Sequence, residues 1–302
     1  MQQITLALDW TPNTNHLGFF IAKEKEFYKE KGIDLNIIDP SKDNYQETPA
    51  KKVELGKADL ALCPLESIIS YQTKSKPFDL IAIAALLQED LSAIVTRNDG
   101  SIATPKDLDG KIYASYKARY EDEIVKCMIK NDGGEGNLDL TYPEKLGIWD
   151  TILNGAYDAT WIFMNWEAQQ EGISNKNLNY FKMKDYGIPY SYSPVIAVSQ
   201  KKLLEQGDTY RNFLSATKKG YIYAKENQTE ALAILTKVVP KKDHLINLEK
   251  SLEATIPYFG TQDWGHMDSQ NVTDFLNWLA EHQLEKQELK PDQLFTNNYL
   301  EK

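Results

Sequence analysis

Cysteine is scarce in this 302-residue chain, with only Cys63 and Cys127 present. They lie far apart, one in a strand-end pattern and one in a helix pattern, which favours reduced core thiols over a disulfide framework. The histidines are also few: His16, His244, His266 and His282 are scattered, none at metal-ligand spacing, so no metal and no cofactor is expected. No serine sits in a nucleophile-elbow motif, which removes that hydrolase reading. No run approaches the roughly 20 apolar residues of a membrane span, so no membrane insertion is expected. Basic charge is in deficit: 34 Lys and Arg against 44 Asp and Glu give a net charge of −10, which argues against a nucleic-acid partner. Only Gln2 and Gln3 stand between Met1 and the first strand pattern, without the charged and apolar stretches of an export signal. A cytoplasmic location is therefore expected, with export and removal of a signal segment as the alternative; a transporter partner follows only from export.

What remains is ample apolar material, 42% of the residues, enough for one or two cores. Ile4, Leu6 and Leu8 alternate with Thr5 and Ala7 as a strand, and a helix is expected from His16 to Lys31, stopped by Gly32. A strand follows over Ile33–Ile38, then a short helix over Thr48–Leu55 and a buried strand over Ala58–Leu62. The almost wholly apolar stretch Asp79–Leu87 predicts a strand covered on both faces in a parallel sheet. Further strands are expected at Ser92–Thr96, Lys111–Ser115, Leu138–Leu140, Ala159–Phe163, Leu178–Met183 and Val195–Val198. Helices are expected over Tyr120–Lys130 and Glu144–Leu153, and only helices after Val198. Polar breaks at Gln88-Glu89-Asp90 and Tyr186–Pro194 mark two crossings. The fold class is thus α/β in two lobes, residues 1–91 with 194–302 and residues 92–193, with a central ligand cleft and C-terminal helices packing on the first lobe.

Candidate binding residues fall where strands hand over to helices, the place where open α/β sheets hold ligands. The first junction, Leu8-Asp9-Trp10-Thr11-Pro12-Asn13-Thr14-Asn15-His16, offers Trp10 as a flat apolar face and Asn13 and His16 as hydrogen-bonding groups. His16 shows no partner in the sequence that would make it a catalytic base. Pro64 opens a helix turn at the second junction, which places Glu66 and Ser67 there. Trp166 and Glu167 end the strand Ala159–Phe163, and Tyr190 and Tyr192 sit at the return crossing. A carboxylate accepts two hydrogen bonds from an aminopyrimidine edge while aromatic faces stack on the ring, which suits Glu167 and these rings to a heteroaromatic. Tyr116, Lys117 and Arg119 lie between a strand and a helix, where backbone N–H groups and cations could hold a phosphate. Each position also has a plainer reading: Trp10 as a core plug, Glu167 as a first-turn carboxylate favoured by the helix dipole, Lys117 and Arg119 as a solvated basic turn.

The run Leu8–His16, followed by Ala22-Lys23-Glu24-Lys25 and Phe27-Tyr28-Lys29-Glu30-Lys31-Gly32-Ile33-Asp34-Leu35, resembles the thiamine-pyrimidine group of solute-binding proteins, the NMT1/THI5-like family. The resemblance returns at Val53–Leu60, Asp107–Lys111, Asp158–Glu167 and Met267–Leu284. It implies a two-lobed type II periplasmic-binding-protein fold, a thiamine-precursor pyrimidine as ligand, and Glu167 as the group facing the ring nitrogens and exocyclic amine. It also implies departures. The phosphate-binding relatives carry a glycine-richer loop where this chain has no glycine between Gly110 and Gly133. The synthases carry an iron-associated cysteine-rich run where this chain has Pro189–Ser193, and a Lys and a His where it has Cys63 and Ser67. Three functions stay open: binding of a small heteroaromatic, phosphorylated or not; an enzyme or accessory factor of thiamine-pyrimidine biosynthesis lacking the cysteine motif; and a sensor or interaction protein that keeps the fold with another ligand.

Overall fold

The computed structural model describes residues 1–173 and 178–301. The chain forms two compact units, Met1–Asp90 with Ser191–Leu276 and Gln287–Lys302, and Leu91–Tyr190 with Asn277–Lys286. In chain order the first unit holds β1 (Gln2–Ala7), α1 (Leu17–Glu24), α2 (Phe27–Glu30), β2 (Ile33–Ile38), α3 (Pro49–Glu54), β3 (Leu60–Cys63), α4 (Leu65–Thr73) and β4 (Leu80–Ala85). The second holds β5 (Ser92–Arg97), β6 (Lys111–Ala114), α5 (Glu121–Asn131), β7 (Leu138–Thr141), α6 (Ile148–Leu153), β8 (Ala159–Phe163) and β9 (Leu178–Phe181). The chain then returns through β10 (Val195–Ser199), α7 (Gln200–Glu205), α8 (Gly207–Glu226), α9 (Gln228–Val238), α10 (Leu248–Thr255), α11 (Ser269–Glu281) and α12 (Pro291–Leu294). No helix among the described residues is long and apolar enough to cross a membrane.

The first sheet runs β2-β1-β3-β10-β4, with β1 parallel to both neighbours and β10 antiparallel to β3 and β4. Here the expectation for residues 79–87 needs correcting. Every residue of β4 is buried, yet its sheet partner is antiparallel. Two-sided burial dictates an apolar run whatever the direction of the neighbour. The outer edge of β4 is covered as well, by a bridge from Ala82 to Phe295 and one from Ala85 to Gly265. In the second sheet, β7-β6-β8-β5-β9, β6 is parallel to β7 and β8 while β5 is antiparallel to β8 and β9.

The single helix expected over 16–31 is two. Glu26 takes a left-handed backbone (φ 62°) that ends one helix and starts another in a new direction. Packing outweighs helical continuity there: the turn sends Tyr28 onto Phe213 of α8, with ring centroids 5.4 Å apart, and Tyr28 Oη to 2.7 Å from Thr217 Oγ1. Helix α1 meets α8 so closely that a Cβ on Gly220 would lie 2.1 Å from the Gly18 carbonyl oxygen, and one on Gly18 would lie 2.2 Å from the Tyr221 ring. Only glycine allows that approach. Segment Asn277–Lys286 groups with the second unit rather than with the rest of the C-terminal helices, because Glu285 there meets Arg119 at 2.7 Å and accepts from Tyr120 Oη at 2.9 Å.

Candidate functional site

Parallel pairing of β1 with β3, Leu6 opposite Leu60 and Ala7 opposite Ala61, brings the loops after both strands out at the same edge of the first sheet. The first of these loops is braced throughout. Asn13 caps the short turn Thr14–His16, its Oδ1 accepting from Asn15 N–H at 2.8 Å, while its own N–H donates to His16 Nδ1 at 3.3 Å. Because Nδ1 accepts, the ring proton lies on Nε2, which donates to Asp9 Oδ1 at 2.8 Å. His16 is fully buried, so this bond holds the Asp9 carboxylate by one of its two oxygens. His16 therefore has the carboxylate partner that sequence reasoning missed, seven residues back in the same loop, and it acts as a strut.

The helices behind the loop complete the brace. Thr11 Oγ1 donates to Asp243 Oδ2 at 2.9 Å, Thr14 Oγ1 lies 2.9 Å from Ser251 Oγ and accepts from Thr255 Oγ1 at 3.0 Å, and Tyr221 Oη donates to the Asn15 carbonyl. Trp10 stays half-buried beside Asp9, its ring 6.0 Å from that of Tyr45 and tilted by 54°. Tyr45 has a left-handed backbone (φ 57°), which turns its ring toward Trp10; burial, then the nearby Asp9 carboxylate, push its hydroxyl pKa up.

At the second loop Cys63, Glu66 and Ser67 come together. The Cys63 thiol is buried and free, and its pKa is pushed up first by burial and then by Asp9, with Glu66 adding to the rise and a hydrogen bond to Ser67 opposing it. Glu66 is buried in the first turn of α4, where the helix dipole favours a carboxylate. Trp10, Tyr45, Asp9, Glu66 and Ser67 thus form an aromatic and acidic patch around the ends of β1 and β3.

The second unit repeats the arrangement with a different outcome. β6 and β8 are parallel neighbours, Ala114 opposite Thr160, so residues 115–120 and 164–167 leave the same sheet edge. The expected anion loop at Tyr116, Lys117 and Arg119 is already filled. Glu121 accepts from Tyr116 N–H at 3.0 Å and from Ala118 N–H at 3.1 Å, and Tyr113 Oη donates to it at 2.9 Å. Lys117 N–H donates to Ser115 Oγ at 2.9 Å, the Lys117 amino group lies 5.2 Å from the centre of the Tyr142 ring, and Arg119 is ion-paired to Glu285. Lys117 has a left-handed backbone (φ 60°), which turns successive N–H groups into one concavity. Burial raises the Glu121 carboxyl pKa despite its three donors.

The remaining expected residues have structural bonds. Glu167 is buried, and its Oε2 accepts from Phe163 N–H at 2.9 Å, closing the end of β8. Trp166 is 3% exposed, a core side chain. Tyr190 packs edge-on against Trp161 with centroids 5.1 Å apart. Tyr192 Oη accepts from Asp268 N–H at 2.8 Å and its carbonyl from Leu65 N–H at 2.9 Å. Among the described residues no group of three or more His, Cys, Asp or Glu is placed to hold a metal ion. Asp9 and Glu121 were missed as site residues though both carry signals, a carboxylate beside the loop tryptophan and one in a helix first turn; Tyr45 carries none.

The chain aligns over 98% of its length, and 90% of the relative's, with a formylaminopyrimidine-binding protein from Halalkalibacterium halodurans at 23% identity. A 4-amino-5-hydroxymethyl-2-methylpyrimidine phosphate synthase from Legionella pneumophila aligns at 22% over 99% of this chain and 92% of its own. Among solved structures, the alkanesulfonate-binding protein from Xanthomonas axonopodis pv. citri superposes with a TM-score of 0.71 at 11% identity, covering 99% of this chain and 97% of that one. A protein from Candida albicans described as having the generic periplasmic-binding-protein fold superposes with a TM-score of 0.70 at 12% identity, covering 98% of this chain and 97% of that one, and the fold here is that one, two-lobed and α/β. The model of NMT1/THI5-like proteins matches residues 13–231, most of the chain, and the protein belongs to that family.

Proposed function

We propose that this protein binds a small amine-bearing heteroaromatic of the thiamine-precursor pyrimidine class. The observation that carries the reading is the patch at the ends of β1 and β3, where the half-buried Trp10 ring stands near Tyr45 and beside the Asp9 carboxylate that His16 holds in place. A flat ring stacks on an indole, and an exocyclic amine donates to a carboxylate. Glu66 and Ser67 complete the polar lining. Asn13 and His16 serve by bracing the loop, and Trp166, Glu167, Tyr190 and Tyr192 support the strand ends. The relative named for binding formylaminopyrimidine supports the same ligand class. Structural neighbours named as a periplasmic sulphonate-binding protein and as the ligand-binding component of an import system support an exported solute-capture role with a membrane transporter as partner, over the cytoplasmic location expected from the sequence.

Titration calorimetry with formylaminopyrimidine and with 4-amino-5-hydroxymethyl-2-methylpyrimidine tests the proposal, compounds whose class the relatives' names supply. One-to-one binding of at least one is expected, and binding of neither would refute it. The synthase relative gives the second reading its support. Incubation with iron, oxygen and pyridoxal phosphate, followed by mass spectrometry for a pyrimidine product or side-chain fragmentation, decides between the two; a product makes the chain an enzyme.

A further inference from the structure

Resting on that reading, the geometry points to selection against phosphate: we infer that Glu121 is a built-in occupant of the second unit's anion cradle and that the protein takes its ligand without a phosphate group. Residues 115–120 have what a phosphate site needs, a loop between a strand end and the N-terminus of an eleven-residue helix with cations at Lys117 and Arg119. The chain has spent the loop's N–H groups and the Arg119 cation on itself. The N–H groups of Tyr116 and Ala118 and the Tyr113 hydroxyl converge on one carboxylate, Glu121, which is 2% exposed. Ser115 Oγ takes the Lys117 N–H, and it donates at 2.6 Å to Asp122, which also accepts from Tyr142 Oη at 2.9 Å. Glu285 holds Arg119.

Phosphate would have to evict a carboxylate and leave it buried with fewer donors. It would also meet the charge of Asp122 and Glu123 in the same helix turn. The first unit's loops are braced as well. The Asn13, Asn15 and His16 N–H groups are all bonded within their loop, and the Leu65 and Ser67 N–H groups at the start of α4 are bonded to the carbonyls of Tyr192 and Pro64. Asp9 and Glu66 make that patch acidic. A ligand carrying a neutral hydroxymethyl or formylamino substituent meets none of these penalties.

The test compares the wild-type chain with Glu121→Ala by calorimetry, using inorganic phosphate, the hydroxymethylpyrimidine and its phosphate ester. Wild type should bind the alcohol at least tenfold more tightly than the ester. Glu121→Ala should bind inorganic phosphate roughly ten- to a hundredfold more tightly than wild type, the worth of two or three donors released to an anion. Should that variant fail to fold, the wild-type amide resonances of Tyr116 and Ala118 decide the same question: they should stay in place when phosphate or the ester is added. Wild-type preference for the ester, movement of those amides, or no gain in a folded Glu121→Ala would each overturn the inference while leaving pyrimidine binding intact. If neither pyrimidine binds, the functional reading fails, and the inorganic phosphate arm still decides the role of Glu121.

Discussion

The loops after β1 and after β6 occupy equivalent positions in their units, each leaving the end of a strand that has a parallel neighbour. They are finished in opposite ways. After β1, the backbone is satisfied by Asn13 and His16 and by the Tyr221 hydroxyl, and the Thr14 side chain is held by Thr255, which leaves the Trp10 ring and the Asp9 carboxylate at the half-buried face of the braced loop. After β6, the backbone is satisfied by the first residue of the next helix, so the concavity is occupied before any ligand arrives. Topology selects where a site can be; the groups that satisfy the loop's N–H donors decide whether it is open.

The comparison breaks most severely at the brace behind the first loop. A Cβ on Gly220 would sit 2.1 Å from a backbone oxygen, where no flexible side chain can yield. Gly220→Leu must therefore push α8 off α1 and carry Tyr221 away from the Asn15 carbonyl. A loss of about 3 kcal/mol or more in denaturant unfolding is expected, at the upper end for overpacked cores. Wild-type stability in this variant would show that the loop does not depend on the α1–α8 contact.

A smaller effect, on affinity rather than stability, is expected at the open face of the same loop. Trp10→Ala removes a half-buried ring, so the loss in unfolding stability should be smaller than at Gly220. Pyrimidine affinity should fall by about 1–3 kcal/mol, from lost area and stacking. Calorimetry on the variant measures this directly. Unchanged affinity, or a stability loss as large as the affinity loss, would return Trp10 to the core.

The position of both loops was legible in the residues, because alternation of apolar side chains marks β1, and Pro12, Asn13 and Asn15 mark the turn after it. The satisfaction of their donors was not. His16 finds Asp9 only once the loop folds back on itself, and Thr14 finds Ser251 and Thr255 across more than 200 residues of chain. Lys117 and Arg119 read as cations open to an anion because neither the Tyr142 ring nor Glu285 is near them in sequence. The bond from Phe163 N–H to Glu167 was equally hidden, since it depends on a turn that only the three-dimensional path of residues 163–167 creates. Tyr45 owes its place beside Trp10 to a left-handed backbone that nothing in its side-chain type requires.

The smallest expected effect separates a buried carboxylate from a paired one by the sign of its pH dependence. Burial, the largest influence on Glu121, raises its pKa above the ordinary glutamate value of 4.5 even though three donors pull the other way. In the interval between that value and the raised one, the folded chain binds more protons than the unfolded chain, so stability falls as pH rises. The contribution of Glu121 is fully present below pH 4.5 and is lost as pH climbs through the folded value. Glu54 in the first unit behaves oppositely, because hydrogen bonds from Lys51 and Lys74 lower its pKa; its stabilisation is present above 4.5 and is lost as pH falls through the lowered value. Melting temperatures from about pH 3 to 8 for wild type, Glu121→Gln and Glu54→Gln check both signs. The wild-type advantage over Glu121→Gln should shrink with rising pH, and that over Glu54→Gln should grow. If the two difference curves slope the same way, the Glu121 carboxylate is held by its donors more strongly than burial opposes it, and the contrast between the two units loses its electrostatic basis.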